Sequence, residues 1–591
     1  MLDKIILFSI RNKLIVGMAT LGLILWGGYS LRNLPIDAVP DITNNQVQVI
    51  TVSPSHAALD IERLVTFPVE QNVATIPGIE EVRSFSRFGL SVVTIVFKDD
   101  IDVYWARQQV NERLGEIKDQ IPSDVGQPKM APITTGLGEI YQYVIYALPG
   151  YEEKYSPADL RTIQDWIVRR QLLGTEGVAD VSSFGGYLKQ YEIAINTDKL
   201  RSFNLSVTDV FQALEKNNQN TGGAYIDKKP NAYFIRSEGL VSSLEDLELI
   251  ALKNTSTGAP IFLRDVATVQ FGHAVRYGAM TRNTDGEVTG AVVMMLKGAN
   301  SSAVIANVKE RIEQIKKNLP EGVAIDPFLD RTKLVNKAIT TVTTNLAEGA
   351  LIVIFVLVLL LGNLRAGLLV SSVIPLSMLF AIGMMQVFGV SGNLMSLGAI
   401  DFGLIVDGAV IIVEATMHHL GTRIMGKQLS QNEMDEEVYQ SSRKIMNSAA
   451  FGEIIILIVY LPILAMVGVE GKMFRPMAQT VSFAIAGAFI LSLTYVPMMS
   501  ALFLSKEMSN RVTASDRIIR FVHRFYDPVI RWALHHRLKV IAASAILFLS
   551  SLLLFSTLGA EFLPTLDEGD FAVETRIMTG SSLSESVETC T

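Results

Sequence analysis

The chain has 591 residues, a net charge of −8 at pH 7 and a hydrophobic content of 49%. A chain of this length is expected to fold into several domains, and its acidic balance gives no indication of nucleic-acid binding. Its one cysteine, Cys590, excludes a disulfide framework and a thiolate metal cluster within the chain.

Residues 14–31 form the first apolar run, which follows Arg11 and Lys13. A cleaved signal peptide is the alternative interpretation, but its apolar core is shorter, about 7–15 residues. This run continues through Trp26 and Tyr29, aromatic residues that are typical of a membrane interface. We therefore predict that residues 1–32 are an N-terminal segment with a retained first membrane span.

Residues 33–337 are a polar stretch that we predict to fold as an α+β domain. Short β-type runs alternate with helical ones in the order βαββα, and a last strand near 129–133 would complete a split βαβ (ferredoxin-like) unit over residues 40–135. A second such unit is predicted from residues 136–180 and 272–330, with residues 181–271 inserted between its parts. Within the insertion, 222–226 and 232–236 flank a turn-rich stretch and predict a long hairpin.

Residues 338–504 hold five further apolar runs that could each cross about 30 Å of hydrocarbon, at 345–361, 366–390, 394–416, 448–467 and 477–504. We predict a basic linker helix over 505–537 and a seventh span at 538–558. Lys and Arg concentrate on the cytoplasmic side of membrane proteins. The basic residues of 505–537 therefore place this linker in the cytoplasm and residues 33–337 outside it.

The fourth of the seven runs contains three acids, Asp401, Asp407 and Glu414. Because an ionised carboxylate in hydrocarbon is costly, such acids are functional candidates by default. Asp407 and Glu414 are seven residues apart and would share one helix face, whereas Asp401 would lie about 120° around the axis from Asp407. Asp407, near the middle of the span, is the strongest candidate for a group that takes up and releases a proton. Asp401 and Glu414 could alternatively reach water at the span ends and only anchor the helix.

The sequence also matches itself at an offset of 524 positions, which indicates an internal duplication. The offset aligns Asp3 with Asp527, Leu14 with Leu538 and Pro40 with Pro564. Apolar matches are common between any two membrane helices, but the shared Asp and Pro lie at fixed distances on both sides of the span. We expect a second unit to begin near residue 525, residues 559–591 to start a second extracytoplasmic domain, and a complete molecule to have about twelve spans.

Four motifs carry a resemblance to a known family. They are Asp401-Phe402-Gly403 with Asp407-Gly408-Ala409 and Val413-Glu414; Gly362-Asn363-Leu364-Arg365; Leu34-Pro35 with Asp37 and Pro40-Asp41; and Gly468-Val469-Glu470-Gly471-Lys472-Met473-Phe474. With these motifs the chain resembles, over essentially its whole length, the heavy-metal efflux (CzcA/CusA-type) branch of the resistance-nodulation-cell division (RND) transporters. Asp407-Gly408 stands where the multidrug branch typically has two adjacent aspartates. Asp401 together with Asp407 and Glu414 resembles the divalent-cation branch, although Ala415 departs from the Asn of many relatives.

The resemblance implies a homotrimeric pump in the inner membrane, whose periplasmic porter domain carries a docking subdomain in its insertion. It implies proton flow through Asp401, Asp407 and Glu414, and work with a periplasmic adaptor and an outer-membrane channel. No resident cofactor is expected, since the metal cation, zinc, cobalt, cadmium or nickel, is the cargo. Glu139 and Asp165 would lie where the metal-binding cleft is lined, with a surface role as the alternative.

Two further acids and two rival functions remain open. Glu348 and Glu453 are secondary proton candidates, for which solvated anchors near span ends are the alternative.

Copper or silver export is the rival function within the class. Thioethers suit monovalent ions and methionine pairs occur in the sequence, although methionine also fills apolar cores. A non-transporting membrane-anchored binding or export module, or an inactive fragment, is the rival of another class. We expect the chain ending at Thr591 not to transport alone.

Overall fold

A computed structural model describes all residues except 1, 38, 55, 123–124, 255–257, 284–285, 424–428, 506–513 and 560–570. Pro564 of the internal repeat, and parts of the predicted linker and of the predicted second extracytoplasmic segment, lie outside the described residues. The chain divides into two compact units. Unit 1 comprises Met1–Gly138, Met295–Ile305 and Asp330–Glu574, and unit 2 comprises Glu139–Met294, Ala306–Leu329 and Thr575–Thr591.

Unit 1 begins with two helices and a four-stranded sheet. In chain order these elements are α1 (Leu2–Arg11), α2 (Lys13–Asn33), β1 (Asn45–Val52), α3 (Ala58–Ile61), a π-helical turn (Glu62–Thr66), α4 (Phe67–Val73), β2 (Ile79–Arg87), β3 (Leu90–Phe97), α5 (Val103–Ile117) and β4 (Lys129–Met130). The sheet order is β2-β3-β1-β4. β1 and β3 are antiparallel, with Asn45 opposite Phe97. Val47 and Val49 of β1 are buried in one cluster with Val69 and Val110 of the helices, because alternate strand residues point to the same face.

The chain continues in unit 2 through a helical layer and an inserted segment. The elements are β5 (Glu139–Ala147), α6 (Pro157–Ile163), a π-helical turn (Gln164–Val168), α7 (Arg169–Leu172), β6 (Val178–Gly185), β7 (Lys189–Ile195), α8 (Thr197–Ser202), α9 (Val207–Asn217), β8 (Thr221–Lys228), β9 (Asn231–Ser237), α10 (Leu244–Glu248), β10 (Ala251–Asn254), β11 (Pro260–Phe262), α11 (Leu263–Val266) and β12 (Ala267–His273). β7 pairs with β12. β8 and β9 form a hairpin in which every residue is exposed.

Three more elements complete a second sheet: β13 (Thr289–Met295), α12 (Ser301–Lys316) and β14 (Val323–Asp330). Its order is β14-β5-β13-β6, so the strands on either side of the insertion lie in one sheet. The insertion has its own hydrophobic cluster, which includes Val210, Leu263 and Val266.

Eight helices of unit 1 then form an apolar bundle: α13 (Arg331–Leu361), α14 (Leu364–Ser371), α15 (Val373–Phe388), α16 (Leu394–Gly398), α17 (Phe402–Arg423), α18 (Gln431–Leu464), α19 (Gly468–Leu493) and α20 (Tyr495–Phe503). α2 packs closely on α15, since a Cβ at Gly27 would lie 2.6 Å from the Cβ of Leu379, and one at Gly383 would lie 2.6 Å from the ring of Trp26. Among the described residues, seven helical segments are long and apolar enough to cross a membrane, and each overlaps one of the seven predicted runs.

One end of the bundle is held together by polar contacts to α18. The Lys13 ammonium lies 2.6 Å from both carboxylate oxygens of Asp435. Gln431 donates to Asp435 and to the carbonyl oxygen of Ala501, and Arg443 Nε lies 3.3 Å from Asp3 Oδ2. These contacts fix α1, the start of α2 and α20 to the first four turns of α18.

The last described helices are α21 (Ala514–His535), α22 (Arg537–Phe555) and α23 (Leu583–Cys590). Between α1 and α2, Asn12 has non-helical backbone angles (φ −109°, ψ 54°). Between α21 and α22, His536 has nearly the same angles (φ −111°, ψ 40°). The two breaks are 524 positions apart, which is the offset of the sequence repeat. The repeated segments therefore share a helix, a break and an apolar helix in the same register.

Candidate functional site

Asp401 lies just before the first residue of α17. The short helix α16 ends at Gly398, and the carboxylate of Asp401 accepts a hydrogen bond of 2.8 Å from the backbone N–H of Gly403. Asp401 therefore occupies a capping position, where an acid satisfies free N–H groups and the helix dipole. The expectation that Asp401 lies on the helix, about 120° around from Asp407, is wrong, because the helix begins one residue later.

Asp407 and Glu414 share one face of α17, as their spacing predicts. Gly403, Asp407, Ile411 and Glu414 are all exposed, while the opposite face, including Ile405, Ala409, Ile412, Val413 and Thr416, is buried in the bundle. In the part of the chain that the structure describes, nothing covers the stripe that carries the two acids. An apolar helix thus presents two carboxyl groups on a single uncovered face.

Glu453 lies inside the bundle. Its residue is 4% exposed, and it is the last member of a buried stripe on α18 that includes Met446, Ala449 and Ala450. The sequence-based alternative of a solvated anchor therefore does not apply to Glu453. Glu348, on α13, is exposed.

Gly408, the residue after Asp407, is where α17 meets Glu453. A Cβ at Gly408 would overlap Glu453 Oε1 and would lie 3.4 Å from the Cβ of Ser492 on α19. Sequence reasoning missed this contact. The available signal was the small residues Ala449 and Ala450, four and three positions before Glu453, since small residues on one face allow helices to approach closely.

The metal-ligand candidates are not brought together into a site. Glu139 is the exposed first residue of β5 and accepts a hydrogen bond from Gln142. Asp165 lies 2.7 Å from Arg161 Nε and accepts a 2.6 Å hydrogen bond from Ser183. No group of three or more His, Cys, Asp or Glu side chains with metal-binding geometry occurs among the described residues.

Unit 2 also holds two ionic clusters that sequence reasoning did not single out. Arg276 forms a two-pronged pair with Glu287, donates to the hydroxyl of Tyr187 at 2.7 Å and stacks on its ring. The hydrogen bonds with Glu287 raise the pKa of Arg276. Tyr146 donates a 2.5 Å hydrogen bond to Asp326, and this bond, with a contribution from burial, raises the pKa of Tyr146.

Comparisons with known proteins match essentially the whole chain. The family model AcrB/AcrD/AcrF matches residues 5–591. "Cation efflux system protein CzcA" of Alcaligenes sp. (strain CT14) is 45% identical over 594 residues, which cover 100% of this chain and 55% of the relative. "Cobalt-zinc-cadmium resistance protein CzcA" of Cupriavidus metallidurans is 44% identical with the same coverage.

A solved structure, titled "X-ray crystal structure of a heavy metal efflux pump, crystal form I", aligns with a TM-score of 0.83 at 30% identity. The alignment covers 99% of this chain and 55% of that one. The chain therefore spans about half the length of the relatives that it matches.

Proposed function

The chain belongs to the AcrB/AcrD/AcrF family, and from that premise we propose that it is part of a proton-driven pump that exports divalent heavy-metal cations. The relatives named above are cation efflux and metal resistance proteins. In this proposal the seven apolar helices span the inner membrane, the two sheet-containing regions are porter units on the periplasmic side, and the exported ion is the cargo. The chain would then correspond to about half of the pump, since it covers 55% of the relative's length.

The single observation that carries the proposal is the uncovered stripe of α17 with Asp407 and Glu414. Carboxyl groups facing lipid are costly and are retained in membrane helices where they serve a proton or ion path. The relatives are nearly twice as long as this chain, and a second repeat would supply helices to cover the stripe. Asp407 and Glu414 would then face a protein interior, where each could bind and release a proton, with Asp401 at the helix start and Glu348 as an outer candidate.

The proposed cargo follows from the relatives and from ligand chemistry. One relative's name specifies cobalt, zinc and cadmium, and carboxylate and imidazole groups suit such borderline ions better than thioethers do. Glu139 and Asp165 remain proposed ligands of the porter. For Asp165 to bind metal, its contacts with Arg161 and Ser183 would have to open, so metal and Arg161 would compete for the same carboxylate.

Assembly is also proposed by analogy with the family. The exposed β8–β9 hairpin is suited to reach a neighbouring subunit of a trimer, and the porter would connect to a periplasmic adaptor and an outer-membrane channel. None of these partners is nucleic acid.

The decisive experiment introduces Asp407→Asn into the natural gene and expresses the variant in a metal-sensitive host. The substitution removes the titrating proton and keeps nearly the same volume, so we expect zinc tolerance to fall to that of the empty vector while the membrane level of the protein is unchanged. Asp407→Glu, which keeps a titrating group, should restore part of the tolerance, and Glu414→Gln should reduce it less than Asp407→Asn. Wild-type tolerance in Asp407→Asn would refute the proton path.

A further inference from the structure

Glu453 is the most enclosed acid of the helix bundle. It fits against the neighbouring helix α17 because the residue there, Gly408, has no side chain. Its carboxyl group lies against the backbone of α17 at Gly408, where a Cβ would overlap Oε1. Any residue other than glycine at 408 would have to displace this group. The contact places Glu453 beside the residue that follows Asp407, on the inner side of the helix whose outer stripe carries Asp407.

The surroundings of Glu453 offer little to stabilise a negative charge. Its Oε2 has no hydrogen-bond partner. Ser492 of α19, which lies at the same contact with Gly408, donates its hydroxyl hydrogen to the carbonyl oxygen of Phe489. On α18 itself the adjoining buried residues are Ala449 and Ala450. Among the described residues no Lys, Arg or His pairs with Glu453, and the charged group that acts on it electrostatically is Asp407 of α17.

Because a negative charge on one carboxyl group disfavours ionisation of a second one nearby, two neighbouring acids favour a single negative charge between them. Asp407 reaches the uncovered stripe of α17, whereas Glu453 is closed off from it. The two groups therefore differ in access, while Asp407 lies close enough to act on the charge of Glu453. No hydrogen bond joins them in the described structure, so a proton would pass through one water molecule or after rotation of a side chain.

We propose that Glu453 is a second proton-binding group of the transport site, which shares one proton with Asp407 across Gly408. This inference rests on the proposed proton-driven function. In the transfer, the O–H bond of the Glu453 acid breaks as an O–H bond forms on Asp407. The pair keeps one negative charge throughout, and no other reactant is needed. Gly408 is a positioning residue, because its lack of a side chain allows the two acids to approach.

The test compares Glu453→Gln and Gly408→Ala with a matched control, Gly452→Ala. Gly452 is the residue before Glu453 on α18, and a Cβ there meets nothing within 4 Å, so this control carries the same glycine-to-alanine change in a helix without touching the acid. The first readout is the infrared carboxylic-acid C=O band of the purified 1–591 chain in lipid nanodiscs, titrated with pH.

We expect Glu453→Gln to remove one component of that band and to shift the pH dependence of the remaining component. Gly408→Ala should shift the titration as well, and Gly452→Ala should reproduce the wild-type curve. An unchanged band and titration in Glu453→Gln would overturn the inference. If Glu453→Gln fails to fold, Gly408→Ala decides in its place, and a wild-type titration in that variant overturns the inference equally.

The second readout is zinc tolerance of cells that carry the gene as it occurs in its organism, measured as a function of external pH. Glu453→Gln is expected to lose tolerance and to change its pH profile. If Asp407→Asn abolishes tolerance while Glu453→Gln retains both the tolerance and the pH profile of the wild type, the inference fails and the proposed function stands. If Asp407→Asn retains full tolerance, the proposed function itself fails.

Discussion

Lys472, near the start of α19, lies with its ammonium group 2.6 Å from the carboxylate of Asp99, which follows β3. The same ammonium donates a 3.3 Å hydrogen bond to the carbonyl oxygen of Thr43, just before β1. Within unit 1, one lysine thus connects a helix of the apolar bundle to the end of the first sheet at which β1 begins and β3 ends. The Lys472 side chain is 20% exposed and that of Asp99 is 50% exposed.

We predict that Lys472 and Asp99 are energetically coupled. In a double-mutant cycle of Lys472→Met and Asp99→Asn, the coupling should be about 0.5–1 kcal/mol, since the pair is only partly shielded from water. Thermal unfolding of the detergent-solubilised chain at low salt measures it. The exposed pair Arg113 and Glu116 on α5 serves as the control, with smaller coupling expected. Strictly additive effects at Lys472 and Asp99 would mean that the contact contributes no stability.

Tyr146→Phe should destabilise unit 2 by about 1 kcal/mol at neutral pH, because it removes the hydrogen bond to the Asp326 carboxylate. The folded-state pKa of Tyr146 is raised. The stabilisation by the phenol is therefore fully present below its unfolded pKa, near 10, and is lost as pH rises through the folded pKa.

Unfolding measurements from pH 7 upward should accordingly show a constant difference between wild type and Tyr146→Phe until about pH 10, and a shrinking one above it. Tyr191→Phe is the control, since no hydrogen bond to the exposed Tyr191 hydroxyl occurs among the described residues. A difference that grew with pH would contradict the assignment of the tyrosine as donor.

The β8–β9 hairpin should be needed for assembly and not for folding. Phe234 at its centre is 85% exposed, so Phe234→Ser removes little packing within one chain. We expect the unfolding temperature of the monomer to be unchanged and the trimer fraction, measured by native mass spectrometry of the protein from its natural gene, to fall. Phe271→Ser, at an exposed aromatic residue outside the hairpin, is the control. If Phe234→Ser forms as much trimer as the wild type, the proposed role of the β8–β9 hairpin in assembly is wrong.

Metal preference gives a further prediction. Cells that carry the gene in its natural context should gain tolerance to zinc, cobalt, cadmium or nickel rather than to silver, because borderline divalent ions prefer carboxylate and imidazole ligands. Growth on graded metal concentrations measures this, with Asp407→Asn as the transport-deficient control. Tolerance to silver and copper alone would assign the chain to thioether-based export instead.

Much of the local structure could be predicted because it follows from the periodicity of apolar and polar residues within a short stretch of chain. The hairpin predicted from 222–226 and 232–236 extends only slightly beyond its predicted strands. The shared face of Asp407 and Glu414 also follows from helical periodicity alone.

The remaining features depend on contacts between distant residues, which periodicity does not contain. The enclosure of Glu453 depends on a helix some 45 positions earlier in the chain, and in particular on Gly408. Asp165 was predicted as a ligand from resemblance, while the hydrogen bond that it accepts from Ser183 comes from a strand 18 positions later in the chain. Asp401 was assigned to the helix because the apolar run continues through residues 399–401. The structure breaks the helix at these residues, and Asp401 therefore caps the helix that follows.

The contacts of Lys13 and Asp3 with α18 constrain how Glu453 can move. α18 has 34 residues, and Asp435, near its start, is held by Lys13 and Gln431. Glu453 lies about 27 Å further along the axis. Because α18 is one continuous helix, a tilt of only about 5° about Asp435 would displace Glu453 by about 2 Å. The contacts that hold the start of α18 therefore also help to keep Glu453 against Gly408, on the buried side of the helix that carries Asp407.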